Sequence, residues 1–405
     1  MLIIFAVLFS FFSYSCESSA QENDQKLDPY GGYLNIKTEP TGRFYVKELD
    51  DRYFLITPEG HGFISLGVTH TGGLLRGNAE EAEFFKTVWM GNHEKAAQVI
   101  KSNLLSWGYN SLGYDSNFKT PKILPFMADC YTSRNSLWKS KKDFHFEDVF
   151  SDDWKKEAKL KIQAMVRESK DSPFLIGYYW TDMPAWDLDY AKRTMGSNWV
   201  DYIRSLPVES PGKKRYLEFL ADNAGKENDQ LFLRLIAKEY YKCIGEETRR
   251  LAPKSLIFGE RYQGRALNYD IVKEALPYID VVSVQPSGVE FMEKEFDKLH
   301  EISGKPILIC DHQCSFPTAD HSKTIWKQLE SVEAVNQAHN EYFELAFSKP
   351  YMIGYHRCQY INRYKKGKLK QGLIQSNGEP YKGLVENVLK ANKKVHSKFL
   401  HNTQN

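Results

Sequence analysis

Cysteine is scarce in this chain, at six of 405 residues, and one of the six, Cys16, falls in a leader-like N-terminus. The other five, Cys130, Cys243, Cys310, Cys314 and Cys358, are an odd number and make a poor disulfide framework. Cys310 and Cys314 have no second close ligand pair, and their apolar flanks favour buried thiols over a zinc or redox site. An excess of charge is also missing: the net charge is +2, which gives no electrostatic reason for a nucleic-acid partner. The apolar run from Met1 to Tyr14 is too short to span a membrane. No glycine-rich phosphate loop follows the first core strand, which speaks against an open dinucleotide-binding sheet. There is no internal repeat and no low-complexity block. No metal and no cofactor are expected.

What is present is a chain with 42% hydrophobic residues, enough for one large α/β barrel or two domains. Aromatic residues make up 14%, which suits a sugar-stacking cleft and an ordinary large core equally well. Residues 1–20 read as an export leader, a short apolar segment followed by a polar run. Ser13-Tyr-Ser-Cys16 resembles a bacterial lipobox, so a lipid anchor on Cys16 is one expectation and simple cleavage after Ala20 the other. Both imply export: a periplasmic or outer-membrane, cell-surface lipoprotein, or otherwise a secreted protein.

Beyond the leader, residues 31–60 carry the alternation and turn residues of an antiparallel β lead-in. Eight short β-rich segments follow, separated by helical stretches. They are Phe63–His70, Asn110–Tyr114, Ile123–Met127, Phe174–Trp180, Ser255–Glu260, Ile279–Pro286, Pro306–Cys310 and Tyr351–His356. Helices are expected over Ala96–Trp107, Trp154–Ser169 and Ile325–Phe347. Eight strands alternating with helices is the count of a (β/α)8 TIM barrel, here over residues 31–395 with the β lead-in at its start.

Two strands end in acids: Tyr179-Trp-Thr-Asp182 and Leu308-Ile-Cys-Asp311. Acids at the C-terminal ends of barrel strands are what glycoside cleavage needs, although either Asp could simply cap the following helix or turn. Glu260, after the fifth strand, is a third acid expected at the same mouth, or else an ion-pair partner of an arginine. His70, Asn110, Gln285, His312, His356 and Gln359 stand at strand ends as donors for sugar hydroxyls, and equally as core hydrogen-bond partners. Trp180 and Trp186 flank Asp182 as stacking surfaces or as packing. Arg261, Arg265, Arg357, Arg363, Lys365, Lys366 and Lys368 form either a basic rim for sulfate or carboxylate groups or a solvated surface.

Five segments carry a resemblance: Phe54-Leu-Ile-Thr-Pro-Glu-Gly-His-Gly-Phe-Ile-Ser-Leu-Gly-Val68, Trp107-Gly-Tyr-Asn-Ser-Leu-Gly113, Asp148-Val-Phe-Ser-Asp-Asp-Trp154, Gly354-Tyr-His-Arg-Cys-Gln-Tyr360 and Gly372-Leu-Ile-Gln-Ser-Asn-Gly-Glu-Pro-Tyr381. In this order the chain resembles the agarase-like enzymes of glycoside hydrolase family 50. The resemblance implies a clan A type barrel with acids after strands four and seven, acting on a marine-type galactan, with a sulfated algal galactan as one option. It also implies an Asn-Glu pair after strand four and a Glu after strand seven. Here Asp182 and Met183 take the first two positions and Asp311 the third, so both usual glutamates are replaced. Two readings follow: a galactan-active glycoside hydrolase using Asp182, Asp311 and in reserve Glu260, or an inactive surface glycan-binding protein. Because Asp is shorter than Glu, a wider Asp182–Asp311 gap predicts inversion of configuration.

Overall fold

The computed structural model describes residues 26–71, 91–116, 124–365 and 368–400, with the side chains of 364 and 365 excepted. The leader, Cys16 and Lys366 lie outside the described residues. The chain opens with a four-stranded antiparallel sheet, β1 (Tyr33–Lys37), β2 (Tyr45–Leu49), β3 (Arg52–Ile56) and β4 (His61–Phe63), in the order β1-β4-β3-β2. The turn into β4 needs glycine. Gly60 has φ +88°, and a Cβ there would meet the Thr38 carbonyl oxygen at 2.5 Å.

Eight parallel strands then close a barrel: β5 (Ser65–Val68), β6 (Ser111–Leu112), β7 (Phe126–Asp129), β8 (Leu175–Asp182), β9 (Leu256–Gln263), β10 (Val282–Gln285), β11 (Ile307–His312) and β12 (Met352–Arg357). The last pairs with the first, Gly354 opposite Ser65 and Arg357 opposite Val68. The expected (β/α)8 architecture and its β lead-in are therefore what the chain forms. Because β4 runs straight into β5, the lead-in sheet lies at the N-terminal end of the barrel. Its Phe44, Leu55 and Phe63 pack into one cluster with the barrel-lining Ile176, Phe258, Leu308 and Ile353. That end is plugged by apolar side chains, which leaves the C-terminal mouth for chemistry.

The outer layer holds α1 (His93–Ser106), α2 (Asp152–Ser169), α3 (Leu188–Met195), α4 (Trp199–Ser205), α5 (Pro211–Asp222), α6 (Asp229–Leu251), α7 (Tyr269–Ala275), α8 (Glu293–Ser303), α9 (Val332–Ser348) and α10 (Lys382–Leu400). Their starts follow capping chemistry: Ser151 accepts from the Trp154 amide, and Asn228 from the Leu231 amide. In α2, Trp154, Ala158, Ile162, Met165 and Val166 recur at helical spacing and are buried. The helix expected from Ile325 starts only at Val332, capped by Ser331. Residues 325–331 are instead loop, and that loop carries Trp326 to the barrel mouth. Beyond β12, the hairpin β13 (Arg363–Lys365) and β14 (Lys368–Lys370) is bonded to the same loop, Ile325 N to Leu369 O at 2.9 Å and Leu369 N to Lys323 O at 3.0 Å.

Candidate active site

Asp182 ends β8 and Asp311 lies near the end of β11, so both acids reach the C-terminal mouth. Both are buried, at 3% and 2% exposure. Asp182 Oδ1 accepts from Gln285 Nε2 and from Arg261 Nε, the latter at 3.4 Å. Asp311 Oδ2 accepts from the Tyr114 hydroxyl at 2.7 Å, and its Oδ1 has no hydrogen-bond partner. Burial pushes the Asp311 carboxyl above the usual range, with the negative charge of Asp182 adding to the rise. Lys370, the nearby Cys358 thiol and the hydrogen bond from Tyr114 oppose it. The Arg261 guanidinium lies 3.7 Å from the Tyr114 ring centroid, a cation–π contact that fixes both groups between the acids.

Tyr114 leads to a further set. Its hydroxyl is 2.8 Å from His70 Nε2, which also receives Lys370 Nζ at 2.8 Å, while His70 Nδ1 faces Asp115 Oδ2 at 2.8 Å. A neutral imidazole with its proton on Nδ1 donates to Asp115 and accepts from Lys370 at Nε2, while the one Tyr114 hydroxyl proton goes to Asp311. Burial and the neighbouring Lys370 charge hold the His70 pKa down to about 3. His70 and Asp115 adopt φ of +58° and +53°, and Met183 after β8 +44°. Three non-glycine residues in the left-handed region around one mouth are strain of the kind that functional sites hold.

Local irregularities decide which expected residues reach this mouth. Regular alternation along β9 would turn Glu260 inward with Leu256 and Phe258. Gly259 breaks it with φ +65°, in the manner of a bulge, so Arg261 enters the barrel and Glu260 turns outward. Glu260 is fully buried against α6, accepting from the Tyr240 hydroxyl at 2.6 Å, and burial pushes its carboxyl up to about 8. It is not a mouth acid. Register shifts in the β8–β9 pairing do the same to Trp180, whose indole donates to Thr248 Oγ1 on α6 at 3.1 Å. Trp186 stacks on Trp199, 5.3 Å between ring centroids and 14° between planes. Both tryptophans are packing residues with no free face.

Of the other expected donors, Gln285 reaches the site and His70 adjoins it. Asn110 lies before β6, at the opposite end of the barrel, and clasps the backbone of Leu66 and Ile64 at 2.9 Å each. His312 points outward, bonded to the Gly288 carbonyl at 2.9 Å and stacked on Tyr342, and burial holds it down to about 4. His356 lies inside the barrel, bonded to Ser65 Oγ at 2.9 Å and held by burial down to about 3. Gln359 is a clamp: its amide donates to the carbonyls of Ile361 and Lys370 at 2.8 and 2.9 Å and so positions Lys370. The basic rim largely dissolves. Arg261 and Arg357 are buried, Arg363 pairs with Asp115 at 3.5 Å, and only Arg265 and Lys368 are exposed among those described.

Sequence reasoning missed Tyr114, Lys370, Tyr131, Trp138 and Trp326. Lys370 Nζ lies 5.0 Å from the Trp138 ring centroid and 5.8 Å from that of Trp326. Both tryptophans are half-buried, and Tyr131 is exposed. The available signal was position: Tyr131 and Trp138 follow β7 and Trp326 follows β11, on the βα loops that build barrel sites, whereas Trp180 sits within a strand.

The ligating atoms of His70, Asp311 and Cys358 come within 4.8 Å of one another, a grouping that could hold a metal ion. Lys370 already donates to His70 Nε2, Tyr114 bonds Asp311, and burial pushes the Cys358 thiol well above its ordinary range. The ammonium group thus supplies the local positive charge.

No family model matches the chain. It is 22% identical over 253 residues to β-agarase B of Vibrio sp. (strain JT0107), covering 58% of this chain and 25% of that protein. The matched segment thus spans about a quarter of that relative. An exo-β-agarase superposes with a TM-score of 0.77 at 17% identity, covering 93% of this chain and 67% of that one. BpGH50 gives a TM-score of 0.75 at 17% identity, covering 96% and 91%. The fold is agarase-like. Within this agarase-like barrel, the mouth described above is the place where side chains of opposite charge, hydroxyls and loop aromatics converge.

Proposed function

We propose that the chain is a glycoside hydrolase that cleaves galactose-containing polysaccharide, or its oligosaccharides, with Asp182 and Asp311 as the catalytic pair. The observation that carries this reading is two buried carboxyls in one barrel mouth with contrasting surroundings. Asp311, its pKa raised by burial and one oxygen without a partner, is suited to give a proton to the leaving oxygen. Asp182, facing the donors Arg261 and Gln285, is suited to act as the carboxylate that activates water. Arg261 and Tyr114 orient the two acids, and Tyr131, Trp138 and Trp326 offer ring faces to sugars. The test is a screen of the full chain on agarose, porphyran and carrageenan oligosaccharides. Release of reducing ends from one of them is expected, and no cleavage of any galactan would overturn the proposal.

A second reading has its own observation. Glu260 points away from the mouth, and the resemblance puts Met183 at the position of the glutamate expected after strand four. A glycan-binding barrel without turnover fits that arrangement, and binding without cleavage in the same screen would select it.

A further inference from the structure

Lys370 brings an ammonium group into the mouth that the protein only partly uses. The residue is 5% exposed, and among the described residues its Nζ has one hydrogen bond, to His70 Nε2 at 2.8 Å. An ammonium group carries three donors, so two remain. The indoles of Trp138 and Trp326 stand 5.0 and 5.8 Å away, and the Trp326 Nε1 donor has no partner either. Arg261 is in a similar condition. It is fully buried, reaches Asp182 only through Nε, and its Nη1 and Nη2 have no hydrogen-bond partner. The two cations bracket Tyr114, one over its ring and one bonded to the histidine that its hydroxyl touches.

Arg261 faces Asp182 and Arg363 faces Asp115. Asp129, at the end of β7, adds its charge on the Arg261 side and bonds the Asp115 amide. Asp311 is the acid whose charge acts on Lys370, and in the mechanism proposed above it enters each cycle carrying a proton. In that state no carboxylate among the described residues pairs directly with the buried Lys370 ammonium, an arrangement that is costly until an anion arrives.

We infer that Lys370, walled by Trp138 and Trp326 and backed by Arg261, receives an oxyanion substituent, a sulfate ester or a carboxylate, on the sugar bound in the mouth. This rests on the glycosidase reading and narrows it: the substrate is an acidic galactan and not neutral agarose. The indole rings take the apolar sugar face while the ammonium takes the charge, and burial makes that ion contact stronger than a surface one.

The test is calorimetric titration of the full chain with three matched galacto-oligosaccharides: sulfated, the same compound desulfated, and one oxidised to carry a carboxylate. One or both anionic forms should bind about 10- to 100-fold more tightly than the desulfated form, the range expected for charge-assisted hydrogen bonds. Comparing the two anionic forms identifies the substituent. Lys370→Met should abolish the preference, and Lys370→Arg should restore it. Melting temperatures of both variants report whether the fold survives. Equal affinity for all three forms overturns the inference while cleavage still supports the glycosidase. A preference that survives in Lys370→Met also overturns it. Absence of both binding and cleavage overturns the proposed function and this inference together.

Discussion

Replacing Glu260 by glutamine separates a structural acid from a catalytic one. The carboxyl is fully buried against α6 and pushed up to about 8 from 4.5, burial being the main cause. Between those values the unfolded chain has released its proton while the folded chain keeps it. The folded state then binds more protons, so its stability falls as pH rises, by about 1.4 kcal/mol per pH unit for one group. The contribution is complete below about pH 4.5 and lost above about pH 8. Glutamine keeps the shape, still accepts from Tyr240, and does not titrate. Glu260→Gln should therefore match the wild type at pH 5 and exceed it by a few kcal/mol at pH 8, roughly 2 °C in melting temperature for each kcal/mol. The assay is thermal unfolding of both proteins from pH 4.5 to 9, with turnover measured alongside. Activity should be unchanged. Parallel stability curves, or loss of turnover with no gain at high pH, would refute the outward placement and return Glu260 to the catalytic set.

Trp180→Ala should lower stability by about 3–5 kcal/mol as a core truncation without altering glycan contacts, whereas Trp326→Ala should weaken glycan binding about 3- to 10-fold with little effect on melting. Paired unfolding and titration experiments check both. Cleavage should invert the anomeric configuration, because the two shorter acids leave room for a water. Proton NMR of fresh product decides this, and retained configuration would contradict it. If Cys16 is lipidated, Cys16→Ala should move the protein from detergent-extracted membranes to the soluble fraction, and unchanged partitioning would reject the anchor.

The barrel was legible in the sequence because each core strand is an apolar run bounded by turn residues, and eight of them alternate with helical spacing. The acids were legible because Asp182 and Asp311 close such runs. The orientation of their neighbours was not. Period-two reading holds along a strand only until an irregularity, and Gly259 with its positive φ turned one acid and one arginine to the opposite faces. Asn110 was assigned to the wrong end of the barrel because β6 is short and starts just after it. Lys370 and Trp326 were invisible because they come together only when the β13–β14 hairpin bonds to the loop before α9, a contact between distant segments with no local pattern.

The central claim is that Asp311 and Asp182 form the reacting pair, and Asp311→Asn on the best substrate tests it most directly. The change keeps the size and the Tyr114 contact but removes the transferable proton. Turnover should fall by about a thousandfold or more with the melting temperature preserved. Turnover near that of the wild type would contradict the account, as would a loss of activity explained by a parallel loss of stability.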